Sequence, residues 1–124
     1  MSGNGIRIGV LTISDLGAMG QRTDTSGDAI LTTGGTGLTA RDVTPEATTA
    51  ILERAAPGIA EALRAGAAGA FPRAWLSRGV AGTRAKTLIV NLPGSTGGVQ
   101  DGLTVLEGFI DHAVELVTGE KVTH

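Results

Sequence analysis

The sequence predicts an α/β protein with a three-layer, mostly parallel sheet that has helices on both faces. Two apolar segments rich in β-branched residues, 6–13 and 87–92, have the composition of parallel strands buried on both faces. A shorter apolar segment, 29–31, leads into a glycine-rich loop and then a helix start. This alternation of strands and helices is typical of α/β folds. At 124 residues there is room for one domain, which we take as 1–124.

The first predicted strand ends at Ser14 and Asp15, and residues 16–27 are polar and glycine-bearing, which is typical of a loop. Asp24 and Ser26 are among the side chains of this loop that are capable of chemistry. The next predicted strand begins at Asp28.

The most distinctive segment is TTGGTG at 32–37. Glycines allow backbone N–H groups to approach an anion, and threonine hydroxyls add donors, so the composition suits a phosphate-binding loop. A plain glycine-rich turn between strand and helix is the alternative, and the segment alone favours neither. Thr44 is the predicted N-cap of the following helix, with Pro45 at its first position and Glu46 in its first turn.

That helix is predicted over 44–55, with Ala47, Ile51 and Ala55 on its inward face. A second helix is predicted to start at Pro57 and to close at Gly66, followed by a surface loop at 66–71.

Beyond this loop, Arg78 is a candidate for anion binding, although a solvated arginine is the ordinary alternative. A second loop of glycines and hydroxyls, 93–98, follows the strand at 87–92. One long helix is then predicted, with apolar residues in helical spacing from Val99 to Val117 and Gly119 as its stop.

The composition narrows the class of protein. A formal net charge of −2 argues against nucleic-acid binding through a general basic field, and the absence of cysteine excludes disulfides and thiolate metal sites. No apolar run approaches a membrane span and the first residues lack signal-peptide features, so we expect a cytoplasmic protein with no membrane partner. His112 and His124 are expected to be solvated.

Three predicted strands end in polar loops, at Ser14 and Asp15, at 32–37 and at 91–98. In open parallel sheets the carboxyl ends of the strands face one crevice, where ligands bind. Helix starts near Thr44 and Gly97 add positive dipole ends. We therefore expect an anionic, phosphorylated ligand there.

Several motifs together resemble the MogA/MoaB family, the molybdopterin adenylyltransferases of molybdenum cofactor biosynthesis. They are LTISD at 11–15, DTSG at 24–27, TTGGTG at 32–37 with RDVTPEAT at 41–48, LSRGVAG at 76–82 and TLIVNLPGS at 87–95. The resemblance spans nearly the whole chain. It implies Mg²⁺-dependent transfer of AMP from ATP to the molybdopterin phosphate. It also implies a trimer or hexamer that contacts the molybdenum-insertion enzyme.

The resemblance also implies site residues. Asp42 is the first choice for the metal-linked catalytic acid, with Asp15 as a second catalytic candidate. The expected substrate and phosphate contacts are Ser14, Asp24, Ser26, Thr33, Gly34, Gly35, Thr36, Gly37, Ser77, Arg78, Asn91, Pro93, Gly94, Ser95 and Gly98.

One departure from the family pattern stands out. Parallel strands need a crossover of a dozen or more residues, usually with a helix, yet only thirteen residues, none of them helical in pattern, separate Ser14 from Asp28. Relative to the family, a helix, a strand and a second helix, about 35 residues, are absent between Gly27 and Asp28, together with an acid in a Val-Pro-Asp motif. Either the protein has lost this segment or the sequence given omits it. A non-catalytic molybdopterin-binding protein, or an inactive reduced form, is therefore the alternative to an enzyme.

Overall fold

The computed structural model describes residues 5–13 and 28–120 and contains a five-stranded sheet. The strands are β1 (Ile8–Thr12), β2 (Ala29–Thr33), β3 (Arg54–Ala55), β4 (Ala81–Arg84) and β5 (Thr87–Leu92). Their order in the sheet is β1-β2-β5-β4-β3, with β1, β2 and β5 parallel and β4 antiparallel to both of its neighbours. The sheet is therefore mostly parallel, as predicted.

Helices cover both faces of this sheet. They are α1 (Thr44–Ile51), α2 (Pro57–Ala68), a 3₁₀ helix (Pro72–Leu76), α3 (Thr96–Glu107) and α4 (Ile110–Thr118). On one face the Asn91 amide of β5 contacts Thr48 of α1. The adjacent Val90 points to the opposite face, where it packs in one apolar cluster with α3 and α4. The predicted three-layer α/β architecture is confirmed.

The core lies between the sheet and the helical layer that contains α3 and α4. Register pairs place Leu31 of β2 beside Val90 of β5, and both are buried. Each fully buried side chain of this kind stabilises the fold by about 1.5–3 kcal/mol. The other fully buried members of the cluster are Ala29, Ala81, Leu88, Leu92, Leu106 and Val114.

The prediction that the first strand is buried on both faces was wrong. β1 is at the edge of the described sheet, and Ile8 and Val10 are 43% and 47% exposed. An apolar, β-branched segment does not distinguish an edge strand from a central one. The predicted absence of a helix-strand-helix segment falls on the connection 14–27, which lies outside the described residues.

The helix predicted over 44–55 ends at Ile51, because Leu52 is extended and the chain then joins the sheet as β3. Its buried side chains are Thr44, Pro45 and Thr48 rather than the predicted Ala47, Ile51 and Ala55. The inward face is polar because Thr48 bonds to Asn91. Thr44 is the first helical residue, and Val43 is at the N-cap.

The predicted stop at Gly66 was also wrong, since α2 continues to Ala68. Gly66 faces α3, and a Cβ at this position would collide with the side chain of Val105. The glycine therefore allows two helices to pack closely instead of ending one. The predicted surface loop at 66–71 is the last turn of α2 and the approach to the 3₁₀ helix.

The long helix predicted after residue 98 is divided into α3 and α4 at Gly108 and Phe109. Phe109 has φ −151° and ψ −1°, which is not helical. The predicted inward face is confirmed only in part, because Leu106 is buried but Leu103 is 42% exposed and the buried residue of α4 is Val114, which the predicted spacing left out. Gly119 ends α4 with φ 76°, as predicted.

The tight connection between β4 and β5 generates a stability prediction. Ala85 has φ 52°, the one positive φ among the described residues other than glycine, and the left-handed conformation costs an L-residue about 1–2 kcal/mol. Ala85→Gly should therefore raise the free energy of unfolding by about 0.5–1 kcal/mol, measured by urea denaturation. Lys86→Gly is the control and should lower it, because Lys86 does not have a positive φ. A loss of stability in Ala85→Gly would contradict this prediction.

Candidate functional site

A cleft of about 610 Å³ lies at the carboxyl ends of β2 and β5. It is bounded by the loop that follows each of these strands, 34–37 and 93–98, so two of the three predicted loops meet. The third, at Ser14 and Asp15, lies outside the described residues. The described residues that line the cleft are Gly35, Thr36, Gly37, Asp42, Ala67, Phe71, Arg73, Ala74, Leu76, Ser77, Pro93, Gly94, Ser95, Gly97, Gly98 and Asp101.

Glycine is required at the base of the first loop. Gly34 and Gly35 have φ values of 98° and 72°, in the left-handed region that favours glycine. A Cβ on Gly34 would collide with the carbonyl of Ile13, and one on Gly94 would lie 3.2 Å from the Gly34 Cα. The two loops therefore approach each other backbone to backbone.

Backbone donors form one side of the cleft. Within the described part of the chain, the N–H groups of Gly35 and Thr36 donate to no backbone carbonyl. In the second loop, Ser95 is the N-cap of α3, and its hydroxyl accepts a hydrogen bond of 3.0 Å from the Gly98 N–H. Among the described residues, the Gly97 N–H in the first turn of α3 donates to no backbone carbonyl, and it lies at the same cleft, which suits an anion.

Asp42 places a charged carboxylate in the cleft. Its Oδ2 atom accepts a 2.7 Å hydrogen bond from the Thr39 hydroxyl and a 3.0 Å bond from the Thr39 N–H. These bonds favour the ionised form and lower the pKa of Asp42 below its ordinary value. Across residues 5–13 and 28–120, no three His, Cys, Asp or Glu side chains come together as a metal site.

Arg78 holds the first loop in place. Its Nε donates to the Gly37 carbonyl at 2.8 Å, and its Nη2 donates to the Asp42 carbonyl at 2.6 Å. The remaining contact is an ion pair with Glu46 at 2.6 Å. This hydrogen bond lowers the pKa of Glu46 and raises that of Arg78. The guanidinium is therefore engaged with protein groups, and Arg78 is not part of the cleft lining.

Asn91 is 4% exposed and lies beneath the cleft rather than in its lining. Its Nδ2 donates to the hydroxyls of Thr32 at 2.9 Å and Thr48 at 3.0 Å. Its Oδ1 accepts a 3.0 Å hydrogen bond from the Val80 N–H. The side chain therefore joins β2, α1 and the segment before β4, and it is not available to a ligand.

Arg64 supports the wall of the cleft that contains Ser77. Its Nη1 donates to the carbonyls of Ser77 at 3.2 Å and Gly79 at 2.9 Å. The Ser77 hydroxyl in turn accepts from the Gly79 N–H. The segment 77–79 is thus held by Arg64 of α2 and, through Arg78, by α1.

The structure brings together more than half of the predicted site residues. Thr33, Gly34, Arg78 and Asn91 lie outside the lining, while Ser14, Asp15, Asp24 and Ser26 lie outside the described residues. The predicted residues that line the cleft are Gly35, Thr36, Gly37, Asp42, Ser77, Pro93, Gly94, Ser95 and Gly98.

The sequence reasoning missed one wall of the cleft. Arg73 and Leu76 belong to the 3₁₀ helix, Phe71 directly precedes it, and Asp101 comes from α3. The sequence feature that could have indicated this wall is the segment 71–76, where three large apolar residues lie close to Arg73. Their spacing matches neither a helix nor a strand.

This fold, with a cleft at the carboxyl edge of a mostly parallel sheet, is that of the α/β proteins in which ligands bind at this edge. Comparison with known proteins identifies the family. A model described as a "Probable molybdopterin binding domain" matches residues 12–112. The chain therefore belongs to the MogA/MoaB family.

Individual relatives agree with this assignment. Over 92 residues, 74% of the chain, it is 41% identical to the molybdopterin adenylyltransferase of Helicobacter pylori. Over 91 residues it is 46% identical to gephyrin of Dictyostelium discoideum. The matched parts are 52% and 13% of those proteins, so the chain spans about half or less of the length of these relatives.

Solved structures show the same fold. The molybdopterin biosynthesis enzyme MoaB of Thermus thermophilus superposes with a TM-score of 0.83 at 38% identity, covering 95% of this chain and 99% of that one. The Mog protein of Mycobacterium ulcerans gives a TM-score of 0.71 at 50% identity, covering 73% and 59%.

The buried amide of Asn91 generates a second stability prediction. Asn91→Ala leaves the Val80 N–H without its partner and opens a cavity, so the free energy of unfolding should fall by about 2–4 kcal/mol. Thr48→Val should lower the free energy of unfolding by less than Asn91→Ala does. The double variant should lose less than the sum of the two single losses, because both changes remove the same hydrogen bond. Additive losses would show that the two residues are not coupled.

The pKa of Asp42 generates a third prediction. Because this pKa is lower in the folded protein, ionisation of Asp42 stabilises the fold above the unfolded pKa, and the contribution is lost as pH falls through the folded pKa. Thr39→Val removes the hydroxyl donor and should raise the pKa of Asp42 toward its ordinary value, measured by NMR titration of the carboxyl carbon. Thr49→Val, an exposed change on α1, is the control. An unchanged Asp42 pKa would contradict the role of Thr39.

Proposed function

We propose that this protein is a molybdopterin adenylyltransferase, which transfers AMP from ATP to the terminal phosphate of molybdopterin. The observation that carries the proposal is the cleft in which Asp42 lies beside two loops whose N–H groups at Gly35, Thr36 and Gly97 donate to no backbone carbonyl of the described residues. The family and the names of the relatives support the same activity. A molybdopterin phosphate oxygen would attack the α-phosphorus of ATP, and pyrophosphate would leave.

The chain's own residues suit this reaction because it needs positioning and charge stabilisation more than a side-chain nucleophile. The N–H groups of Gly35 and Thr36, together with the start of α3, would bind phosphate oxygens. Ser77 and Ser95 would add hydroxyl donors at the sides of the cleft. Arg78 would act indirectly, because it fixes the carbonyls of Gly37 and Asp42 and so orients the loop between them.

The donor set of the cleft fits Mg²⁺ held mainly by substrate. Asp42 offers an ionised carboxylate, and Mg²⁺ is commonly bound by one or two carboxylates plus substrate phosphates. When bound, the metal would neutralise negative charge on the phosphates. Asp101 lies in the same lining and is a second oxygen donor available to that cleft.

Assembly into a trimer or hexamer, and contact with the molybdenum-insertion enzyme, are parts of this proposal. The partly exposed Ile8 and Val10 of the edge strand β1 are consistent with burial in such an assembly. None of the helices in the described ranges has the length and apolar character needed to cross a membrane.

The proposal predicts that Asp42→Ala lowers Mg²⁺-dependent adenylylation by on the order of a hundredfold or more. The measurement is the incorporation of label from [α-³²P]ATP into molybdopterin, with pyrophosphate release as a second readout. Glu61→Gln, an exposed change on α2, removes one negative charge elsewhere and should leave the rate unchanged.

Two results would contradict this assignment in different ways. Equal turnover by Asp42→Ala would remove the proposed role of Asp42. Binding of molybdopterin without AMP transfer by the unsubstituted protein would favour the alternative, a non-catalytic binding protein of the same family.

A further inference from the structure

The two walls of the cleft differ in chemistry. One consists of the glycine loops and the start of α3, which present backbone donors. The other consists of the end of α2 and the 3₁₀ helix, where Phe71 and Leu76 are 51% and 55% exposed. Exposed apolar side chains at a cleft are suited to a ligand with an apolar or aromatic face.

Arg73 is the one cation among the described residues that line this cleft. It makes no hydrogen bond or ion pair with the described part of the chain, whereas Arg78 and Arg64 are bound to backbone carbonyls. Arg73 is therefore the arginine at this site whose guanidinium is available to a ligand. Its fork of donors matches two phosphate oxygens.

The position of Arg73 beside Phe71 adds a second recognition element. Arg73 belongs to the 3₁₀ helix that begins one residue after Phe71, and both side chains face the cleft. A heteroaromatic ring can stack on the phenyl ring while its phosphate reaches the guanidinium. The glycine loops then hold the remaining phosphate oxygens from the opposite wall.

We propose that Arg73 binds the phosphate of a phosphorylated heteroaromatic ligand whose ring lies against Phe71. This inference rests on the proposed function for the ligand class, since both a nucleotide and a phosphorylated pterin have this chemistry. It assigns the contact to the 3₁₀ helix, whereas the sequence analysis assigned phosphate binding to Arg78.

The test compares phosphorylated and unphosphorylated probes by calorimetry. The nucleotide arm uses ADP and adenosine, and the pterin arm uses 6-hydroxymethylpterin and its monophosphate. Arg73→Met keeps an unbranched side chain without the charge, and Lys86→Met removes one positive charge from the β4–β5 turn as a matched control. The single tryptophan, Trp75, is in the same 3₁₀ helix and gives an independent fluorescence readout.

Arg73→Met should weaken binding of the phosphorylated probe by on the order of tenfold and leave the unphosphorylated probe unchanged. Phe71→Leu should weaken both probes of the same pair by a similar factor. The arm that shows this pattern identifies the ligand as the nucleotide or the pterin. Lys86→Met should bind both probes as the unsubstituted protein does.

Equal affinity of Arg73→Met and the unsubstituted protein for both phosphorylated probes would overturn the inference, as would equal losses with and without phosphate. The adenylylation assay keeps this result separate from the proposed function. An Arg73-dependent phosphate contact in a protein that transfers no AMP would retain the inference and reject the enzyme. If Arg73→Met changes neither adenylylation nor binding, the enzyme assignment is retained and the inference about Arg73 is rejected.

Discussion

The arrangement of the cleft depends on one buried amide, that of Asn91. It bonds to Thr32 of β2, to Thr48 of α1 and to the backbone before β4. Each of these three segments leads into the site, because β2 is followed by the glycine loop, α1 is preceded by Asp42, and Val80 follows the segment 77–79. A buried, fully bonded polar group favours one arrangement of its neighbours, since any other leaves donors and acceptors unpaired. Asn91 thus determines the relative positions of the segments around the cleft, although it is not part of the cleft lining.

Arg78 fixes the part of the first loop that lies nearer the surface. Its backbone N–H donates to the Thr36 carbonyl at 2.8 Å, and its side chain reaches the carbonyls of Gly37 and Asp42. The charge of the guanidinium is balanced by Glu46 of α1. An arginine in a characteristic motif is therefore used here to shape a loop. Among the described residues that line the cleft, Arg73 is the arginine that makes no such bonds, and it lies in a segment with no recognisable sequence pattern.

The sequence was most informative where a pattern corresponds to burial or to backbone geometry. The apolar run at 87–92 correctly predicted a buried strand, and the glycines at 34 and 35 occupy positive φ positions. Prediction failed where long-range contacts decide. β3 is only two exposed residues long, and Gly66 is inside a helix because of Val105, which is far away in sequence. Asn91 and Arg78 were identified as functional residues, yet the side chains that they bond lie 32 to 59 positions away in the sequence.

The close backbone approach of Gly34 and Gly94 has a consequence for how the two walls of the cleft divide ligand recognition. Because the two loops approach each other without intervening side chains, the spacing of their backbone N–H groups is set by the fold, and an anion bound there would cost little conformational entropy. The opposite wall contains no buried residue along its 3₁₀ helix and can therefore change sequence at low cost in stability. The backbone donors of the glycine loops are thus fixed by the fold, whereas the side chains of the 3₁₀ helix, Arg73 among them, can be exchanged to change selectivity.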